Sequence, residues 1–391
     1  MPVTILSRSS LAFTSVFLIL IARTSDAVIL SEGWTSARAM GMGNAYSAVV
    51  SNSDALFYNP AGLSRIKGFN WTVFDPHGGI NGLDTVQRIQ NIAANSSKNQ
   101  SVANEVSGFY GHPVFAEAGV KTAFTIPNFG VAGYGNSNAG FALDNPAYPN
   151  LNLDYFVDYG VTVGGSLDLV PDAVQIGMVA RRFNRTGTTE TLTAGQLATM
   201  NSSQLQQELQ RRGTAYAVDV GMLFTSPAPT HPTFSVVWRD LGNTSFSHDS
   251  GIGAPQPIPS NLLAGFSFEL SAPLISLRPS VDYDYINRSD IASLNKVHIG
   301  LELGLPLIDI RAGLNQGYYT AGVGVDFGLL HLDAATYGVE LGNYPGQHQD
   351  RRYVAQVTFE FGFDPGRFGF GGGSTSSSGD GSGTHHLKQR R

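Results

Sequence analysis

The sequence contains no cysteine and unusually few charged residues. Without cysteine, the 391-residue chain cannot form disulfides, thiolate metal sites, a catalytic thiol or a lipidated N-terminal cysteine. Charged residues make up 14% of the chain, whereas soluble domains typically carry about 25%. The net charge of -6 lacks the basic excess that nucleic-acid-binding proteins show. These absences argue against an ordinary cytosolic protein and predict no nucleic-acid partner.

The sequence also lacks a long apolar run. The longest one, residues 11–22, follows Arg8 near the N-terminus, and it is shorter than the ~20 residues that a membrane-spanning helix needs. Ser25 and Ala27 then place small residues at the −3 and −1 positions of a signal-peptidase site. The pattern predicts a signal peptide at residues 1–27, cleaved after Ala27, and export of the mature protein.

Alternating apolar and polar residues dominate the chain from about Gly68 onward. In residues 154–169, one face is mostly Tyr, Val and Leu, and the other carries Asp, Gly, Thr and Ser. Residues 276–286 and 352–363 repeat this alternation. A period of two indicates strands with one apolar and one polar face. Both a soluble sandwich and a transmembrane barrel contain such strands.

Strand length and loop length favour the barrel. Many predicted strands reach ten residues, which suits a membrane, and their connections alternate between short turns and long loops, as in outer-membrane barrels. The predicted strands are residues 69–76, 114–125, 129–137, 154–169, 172–183, 214–225, 232–240, 260–270, 275–286, 294–304, 307–315, 317–327, 329–338 and 352–363. Their number, fourteen, is even. The sequence therefore predicts an all-β protein with a 14-stranded antiparallel transmembrane β-barrel at residues 68–363.

Two of the long loops carry helical patterns. Residues 84–94 and 203–212 are each predicted to form an external helix, and Ser203 with Gln206 has the spacing of a capping box. Leu205 and Leu209 share one face of the second helix. They form either part of a lid over the barrel mouth, the interpretation that the sequence favours, or a contact site for an apolar ligand.

The sequence shows no catalytic or metal-binding motif. Its polar strand residues fit a network of paired charges in the lumen, so we expect no enzyme activity and no cofactor or metal. Pro279 lies within a predicted strand, and its missing N–H predicts a bulge or a kink in the wall. Residues 364–391 are rich in Gly and Ser and end in basic residues, a composition that predicts a disordered tail.

One segment carries a more specific signal. Residues 36–66, SARAMGMGNAYSAVVSNSDALFYNPAGLSRI, resemble the N-terminal signature of the FadL-like family of outer-membrane transport proteins, especially its PorV/PorQ-like branch. In that family an N-terminal hatch with an Asn-Pro-Ala turn plugs a fourteen-stranded barrel. The resemblance implies that residues 28–67 are a hatch inside the lumen and that Asn59, Pro60 and Ala61 form its turn. A periplasmic loop outside the barrel is the alternative.

The resemblance also implies a function and a location. Family members carry long-chain fatty acids or other hydrophobic compounds across the outer membrane of Gram-negative (diderm) bacteria. PorV-like members instead serve protein secretion or surface attachment. The implied partners are outer-membrane lipids, a hydrophobic small-molecule ligand and the barrel assembly machinery, with a secretion-system protein for the PorV-like role. We expect a hydrophobic-compound transporter, with the secretion component as the alternative.

Overall fold

One continuous antiparallel sheet forms most of the protein. The computed structural model describes residues 33–82, 87, 111–144, 150–200 and 202–363. The predicted signal cleavage after Ala27, most of the predicted helix at 84–94 and the tail at 364–391 lie outside these residues. The described strands are β1 (Phe69–Ile80), β2 (Val114–Ile126), β3 (Phe129–Asp144), β4 (Asn150–Val170), β5 (Val174–Leu192), β6 (Arg212–Thr225), β7 (Thr233–Arg239), β8 (Asn261–Ser267), β9 (Leu270–Ala272), β10 (Ile275–Tyr283), β11 (Val297–Gly304), β12 (Ile308–Asn315), β13 (Tyr318–Asp326), β14 (Leu330–Glu340) and β15 (Gln349–Phe363).

The sheet closes into a barrel. Each strand pairs with its neighbour in the sequence, and β15 pairs back onto β1, where Phe363 lies opposite Phe69. The short segments β8 and β9 both pair with β10, so they are two parts of a single wall strand. The wall therefore has fourteen strands, which confirms the predicted fold class. Closure leaves no unpaired edge in the ring.

The wall is apolar outside and polar inside. Along β4, the side chains of Tyr159, Val161 and Leu167 are 57%, 50% and 64% exposed, whereas the alternating Asp158 and Thr162 are buried. Phenylalanines concentrate near the end of the barrel with the short turns, where Phe361 lies near Trp71 and Phe224 near Phe234. An apolar belt with an aromatic girdle is typical of the lipid-facing surface of an outer-membrane barrel.

The two ends of the barrel differ. Short turns, such as Pro127–Asn128 between β2 and β3, join the strands at one end, where Asn128 adopts φ 66° to reverse the chain. The longer connections lie at the other end, and we refer to the two as the turn end and the loop end. In outer-membrane barrels the short turns are periplasmic. Among the described residues, no helix is both long and apolar enough to cross a membrane.

The loop between β5 and β6 contains two short helices, α2 (Ala194–Thr199) and α3 (Ser202–Leu209). The predicted bounds of 203–212 were therefore wrong at the C-terminal side, because Arg212 already belongs to β6. The predicted capping box was also misplaced. Ser203 lies within α3, whereas Gln196 accepts a hydrogen bond from the Thr193 N–H at 2.8 Å before α2.

Pro279 interrupts the hydrogen bonds of the wall without adding a residue to it. On one side, β10 keeps an unbroken register with β11. On the other side, Phe268 donates its N–H to the Pro279 carbonyl at 3.3 Å, but proline has no N–H to return the bond. This missing bond coincides with the break between β8 and β9. The sequence predicted a bulge or a kink at Pro279. The structure has a missing hydrogen bond there and no bulge, and a kink stays a prediction.

The lipid-facing assignment predicts how charge is tolerated on β15. Val357 lies outward on β15 within the apolar belt, so we expect Val357→Arg to destabilise the barrel, by up to about 2–4 kcal/mol. Denaturant titration of protein refolded into lipid vesicles measures this change. Val357→Leu is the matched apolar control and should unfold as the unchanged protein does. Equal stability of the Arg and Leu variants would contradict a membrane-embedded wall.

Candidate functional site

Residues 33–67, here called the hatch segment, lie against the inner face of the wall. Residues 34–50 and 53–63 are all buried. The segment contains a short helix, α1 (Ala37–Gly41), and two 3-10 helices, η1 (Ser53–Leu56) and η2 (Pro60–Arg65). Wall glycines approach it from several directions and belong to β3, β4, β5, β6, β8, β11, β12 and β13. A segment that contacts strands around the ring occupies the lumen.

The Asn-Pro-Ala turn is among the most buried parts of the hatch segment. The Asn59 side-chain oxygen accepts a hydrogen bond from the Ala61 N–H at 3.1 Å, and its amide donates to the Ser47 carbonyl at 2.9 Å. Asn59 therefore caps η2 and also joins two parts of the segment. Pro60 follows at the first helical position, where a missing N–H leaves no bond unmade.

Two wall glycines make room for this turn. A Cβ on Gly221 would lie 2.0 Å from the Asn59 side-chain oxygen, and one on Gly177 would lie 2.3 Å from the Pro60 carbonyl carbon. The turn thus rests directly on β5 and β6. The sequence predicted the turn residues but not these glycines, because glycines on inward-facing strand positions are common along the chain.

A first ionic anchor joins the hatch segment to β11. Arg38 binds both carboxylate oxygens of Glu302, at 2.8 and 2.7 Å. The same carboxylate accepts from Arg278 and Arg311, each at 2.9 Å. A bidentate pair of a guanidinium and a carboxylate is strong, and it fixes the relative orientation of the two groups. The predicted network of paired lumen charges therefore includes a residue of the hatch segment.

A second anchor joins η1 to β1 and β2. Lys121 contacts the carboxylate of Asp54 and also that of Asp75, the latter at 3.0 Å. Its ammonium lies 4.7 Å from the ring centroid of Trp34. Burial by itself raises the pKa of Asp54, but the Lys121 ammonium and the bonds to the carboxylate lower that pKa below its ordinary value. Asp54 is therefore ionised inside the lumen at neutral pH.

A third anchor uses backbone donors. The Asp282 carboxylate of β10 accepts the N–H groups of Tyr46 and Ser47, at 3.0 and 2.9 Å. The Ser47 hydroxyl also lies 2.7 Å from that of Ser235 on β7. These bonds satisfy irregular backbone at membrane depth, which is required where water is excluded. The hatch segment is thereby bound to separate parts of the ring.

The hatch segment also has an apolar interior of its own. Trp34 stacks on Phe57 with ring centroids 5.4 Å apart, and Tyr46 meets Tyr58 edge-on at 5.1 Å. Phe57 further packs against Tyr134 of β3 at 5.2 Å. These rings fill the middle of the lumen, so a polar wall coexists with a packed apolar centre.

Two small cavities flank the hatch segment. The loop-end cavity, of about 50 Å³, lies between the segment and the long loops. The turn-end cavity, of about 60 Å³, lies toward the short turns and is lined by charged side chains that include Arg311, Asp326 and Asp333. Both cavities are lined largely by polar groups. Within the described residues, no group of three or more His, Asp or Glu is placed to hold a metal ion.

An apolar cluster lies at the loop end of the wall. Leu143, Leu151 and Leu192 are buried there, and Met200 and Leu205 pack against them. We call these five residues the mouth cluster. Leu209, which the sequence paired with Leu205, lies on the same helix but is not part of the cluster. The loop helices are thus joined to the wall by apolar packing.

Comparison with known proteins identifies the fold. No family model matches the chain, and no curated protein matches it. A mutant of the TodX monoaromatic hydrocarbon channel matches with a TM-score of 0.50 and 12% identity, over 85% of this chain and 99% of that one. The CymD monoaromatic hydrocarbon channel matches with a TM-score of 0.49 and 9% identity, over 83% and 96%. The Ralstonia pickettii toluene transporter TbuX gives 0.48 and 9%, over 86% and 100%. The first of these confirms a FadL-type fourteen-stranded outer-membrane barrel as the fold.

The buried position of the hatch segment predicts a closed lumen. Deleting residues 33–64 removes the buried rings and all three anchors, so we expect single-channel conductance in planar bilayers to rise from near zero to that of an open pore. Circular dichroism and heat-modifiable gel mobility check that the deleted protein still forms a barrel. Free ion conductance through the intact protein would contradict a plug.

The contact at Gly221 predicts a local effect on the turn. Gly221→Ala places a methyl group against Asn59, and overpacking of this kind costs about 1–3 kcal/mol. We expect faster amide hydrogen exchange in residues 45–63 and a lower unfolding midpoint. Gly133→Ala is the matched control, because the nearest atom to its Cβ is 3.8 Å away. An unchanged exchange rate in the Gly221 variant would show that the turn does not rest on β6.

Proposed function

We propose that this protein is an outer-membrane channel for hydrophobic small molecules. The observation that carries the proposal is the mouth cluster, whose leucines lie beneath the loop helices at the loop end of a barrel whose lumen is filled. A filled lumen does not offer the wide aqueous path of a porin. Solutes that cross such a barrel must first bind to it, and apolar solutes gain free energy from contact with buried leucines.

The placement of the cluster supports a role in capture. Met200 and Leu205 come from the loop that contains α2 and α3, whereas Leu143, Leu151 and Leu192 come from the ends of β3, β4 and β5. An apolar molecule arriving from outside reaches the loop helices and this cluster before it reaches the hatch segment. Loop residues held by a rigid wall are a common location for binding sites.

The shared fold supports the same function by analogy. The solved structure with a TM-score of 0.50 is described as a monoaromatic hydrocarbon channel, although a fold by itself does not define a function. The sequence resemblance favours long-chain fatty acids or other hydrophobic compounds as the transported molecules. We further propose that the mature protein begins after Ala27, lies in the outer membrane of a diderm bacterium and is inserted there by the barrel assembly machinery.

A PorV-like role in secretion or surface attachment is the second candidate. The observation that favours it is the polar lining of both described cavities, which does not offer an apolar path through the lumen. In this role the barrel is a docking module, and the tail at 364–391 contacts a secretion-system protein. Truncation after Phe363 would then abolish complex formation and leave ligand binding unaffected.

Leu205 and Leu209 allow a sharp test of the transport proposal. We expect Leu205→Asp to weaken fatty-acid binding by about tenfold or more. A leucine side chain that becomes buried against an apolar ligand contributes about 1.5–3 kcal/mol to the binding free energy. Leu209→Asp is the matched control on the same helix and should change binding much less. Fluorescence titration of the purified protein with a labelled fatty acid, and with toluene as competitor, measures both variants.

Three outcomes decide whether the mouth cluster binds a transported apolar molecule. Leu205→Met should retain binding, which separates loss of apolar contact from loss of the helix. Equal effects of the Leu205 and Leu209 variants would remove the mouth cluster from the binding site. No binding of fatty acid or toluene to the intact protein would end the transport proposal and leave the docking role.

A further inference from the structure

The loop-end cavity has a chemistry that an apolar cargo does not require. Its lining includes Asn136 and Asn138 of β3, Asp154 of β4 and His298 of β11. Each of these residues is more than nine-tenths buried. Two of them carry a buried polar atom that has no hydrogen-bond partner among the described residues: Asn138 Oδ1 and His298 Nε2. Such atoms are uncommon in folded proteins and call for an explanation.

The two asparagines present acceptors. The Asn138 amide nitrogen donates to the Asp154 carboxylate at 2.8 Å, and the Asn136 amide nitrogen donates to the Gly33 carbonyl at 3.3 Å. A backbone carbonyl only accepts, and so does an ionised carboxylate, so each amide directs its nitrogen toward its partner. The unpartnered atom of Asn138 is therefore its carbonyl oxygen, whereas the Asn136 side chain also interacts with the His77 ring. The two residues are two positions apart on one face of β3, so both side chains lie on the same wall of the cavity.

The histidine presents an acceptor as well. His298 Nδ1 lies 3.0 Å from the Gly43 carbonyl oxygen. Since a carbonyl cannot donate, Nδ1 carries the proton, and in the neutral ring Nε2 is then a lone-pair acceptor. His298 lies on β11, across the lumen from β3. Acceptors thus face the cavity from both sides.

The lining of the cavity also contains charged side chains. Glu117, Asp154 and Asp284 line the cavity, and Arg352 is the guanidinium beside them. Arg352 is already bound to Asp350 at 2.7 Å and lies 3.5 Å from the ring centroid of Phe115. Asp154 and Asp284 are both buried. Asp154 accepts hydrogen bonds from the Asn138 amide and the Thr189 hydroxyl, and within the part of the chain that the structure describes neither carboxyl group lies within 4.0 Å of a basic side chain. The lining contains three acidic residues and one arginine.

We propose that the loop-end cavity binds a small organic cation, of which a primary ammonium is the simplest example. An ammonium group supplies three donors and one positive charge, which matches unpartnered acceptors beside unpaired carboxylates. A carboxylate or phosphate would meet like charge and leave the acceptors unpaired. A neutral apolar molecule would leave them unpaired too. This site is distinct from the mouth cluster, so its test is independent of the proposal of hydrophobic transport.

Calorimetric titration with n-butylammonium, n-butanol and butyrate tests the proposal on the detergent-solubilised full chain. The three probes have chains of similar length and differ in charge and donors. We expect butylammonium to bind at millimolar concentrations and the alcohol and carboxylate to bind at least about tenfold more weakly. Asp154→Asn and Asp284→Asn should each weaken butylammonium binding about tenfold or more. Asp326→Asn in the turn-end cavity is the matched control and should leave it unchanged.

Several results would overturn the proposal. The first is that butanol binds as tightly as butylammonium. The second is that no probe gives a heat of binding, which would mean that water alone fills the cavity. The third is that the Asp326 variant loses as much butylammonium binding as the Asp154 and Asp284 variants. Heat-modifiable gel mobility shows whether each variant is folded, and the comparison of probes on the unchanged protein does not depend on the variants. Fatty-acid binding should persist in the Asp284 variant, which separates this site from the mouth cluster.

Discussion

The absence of water from the bilayer core governs this structure. A backbone N–H or C=O at membrane depth must find its partner within the protein, and ring closure between β1 and β15 meets this requirement for the wall. The same requirement applies to the irregular chain inside the ring, where Asp282 and Asn59 accept or donate bonds that a helix or sheet would otherwise supply. Pro279 shows the consequence of a missing donor, because the neighbouring wall strand is broken opposite it.

Buried charges connect the hatch segment to the wall in a mutually dependent way. Glu302 receives guanidinium groups from Arg38, Arg278 and Arg311, and Lys121 lies between Asp54 and Asp75. Removing one partner from such a pair leaves an uncompensated charge and typically costs about 3–5 kcal/mol. The segment and the wall therefore stabilise each other, and a movement of the hatch requires several ionic contacts to be replaced together.

The inside of the barrel has regions of different polarity. The mouth cluster offers apolar contact at the loop end, whereas the cavity beneath it presents acceptors and carboxylates. The turn-end cavity is lined by ion pairs such as Arg311 with Asp333. This division follows from the alternation of the strands together with the aromatic core of the hatch segment.

The sequence by itself determined the class of fold and the main part of the wall. Alternation along residues 154–169 defined which side chains face lipid, because a period of two is a local property of any strand. The even number of strands followed from the order of short and long connections. The Asn-Pro-Ala turn was found through resemblance, since its residues carry a recognisable local conformation. Only the tertiary structure placed Gly177 and Gly221 beneath that turn, selected Leu205 over Leu209 and gathered Asn136, Asn138, Asp154 and His298 around one cavity. Those contacts join strands far apart in the chain, and the depth and facing of a lumen side chain depend on ring closure, which no local pattern encodes.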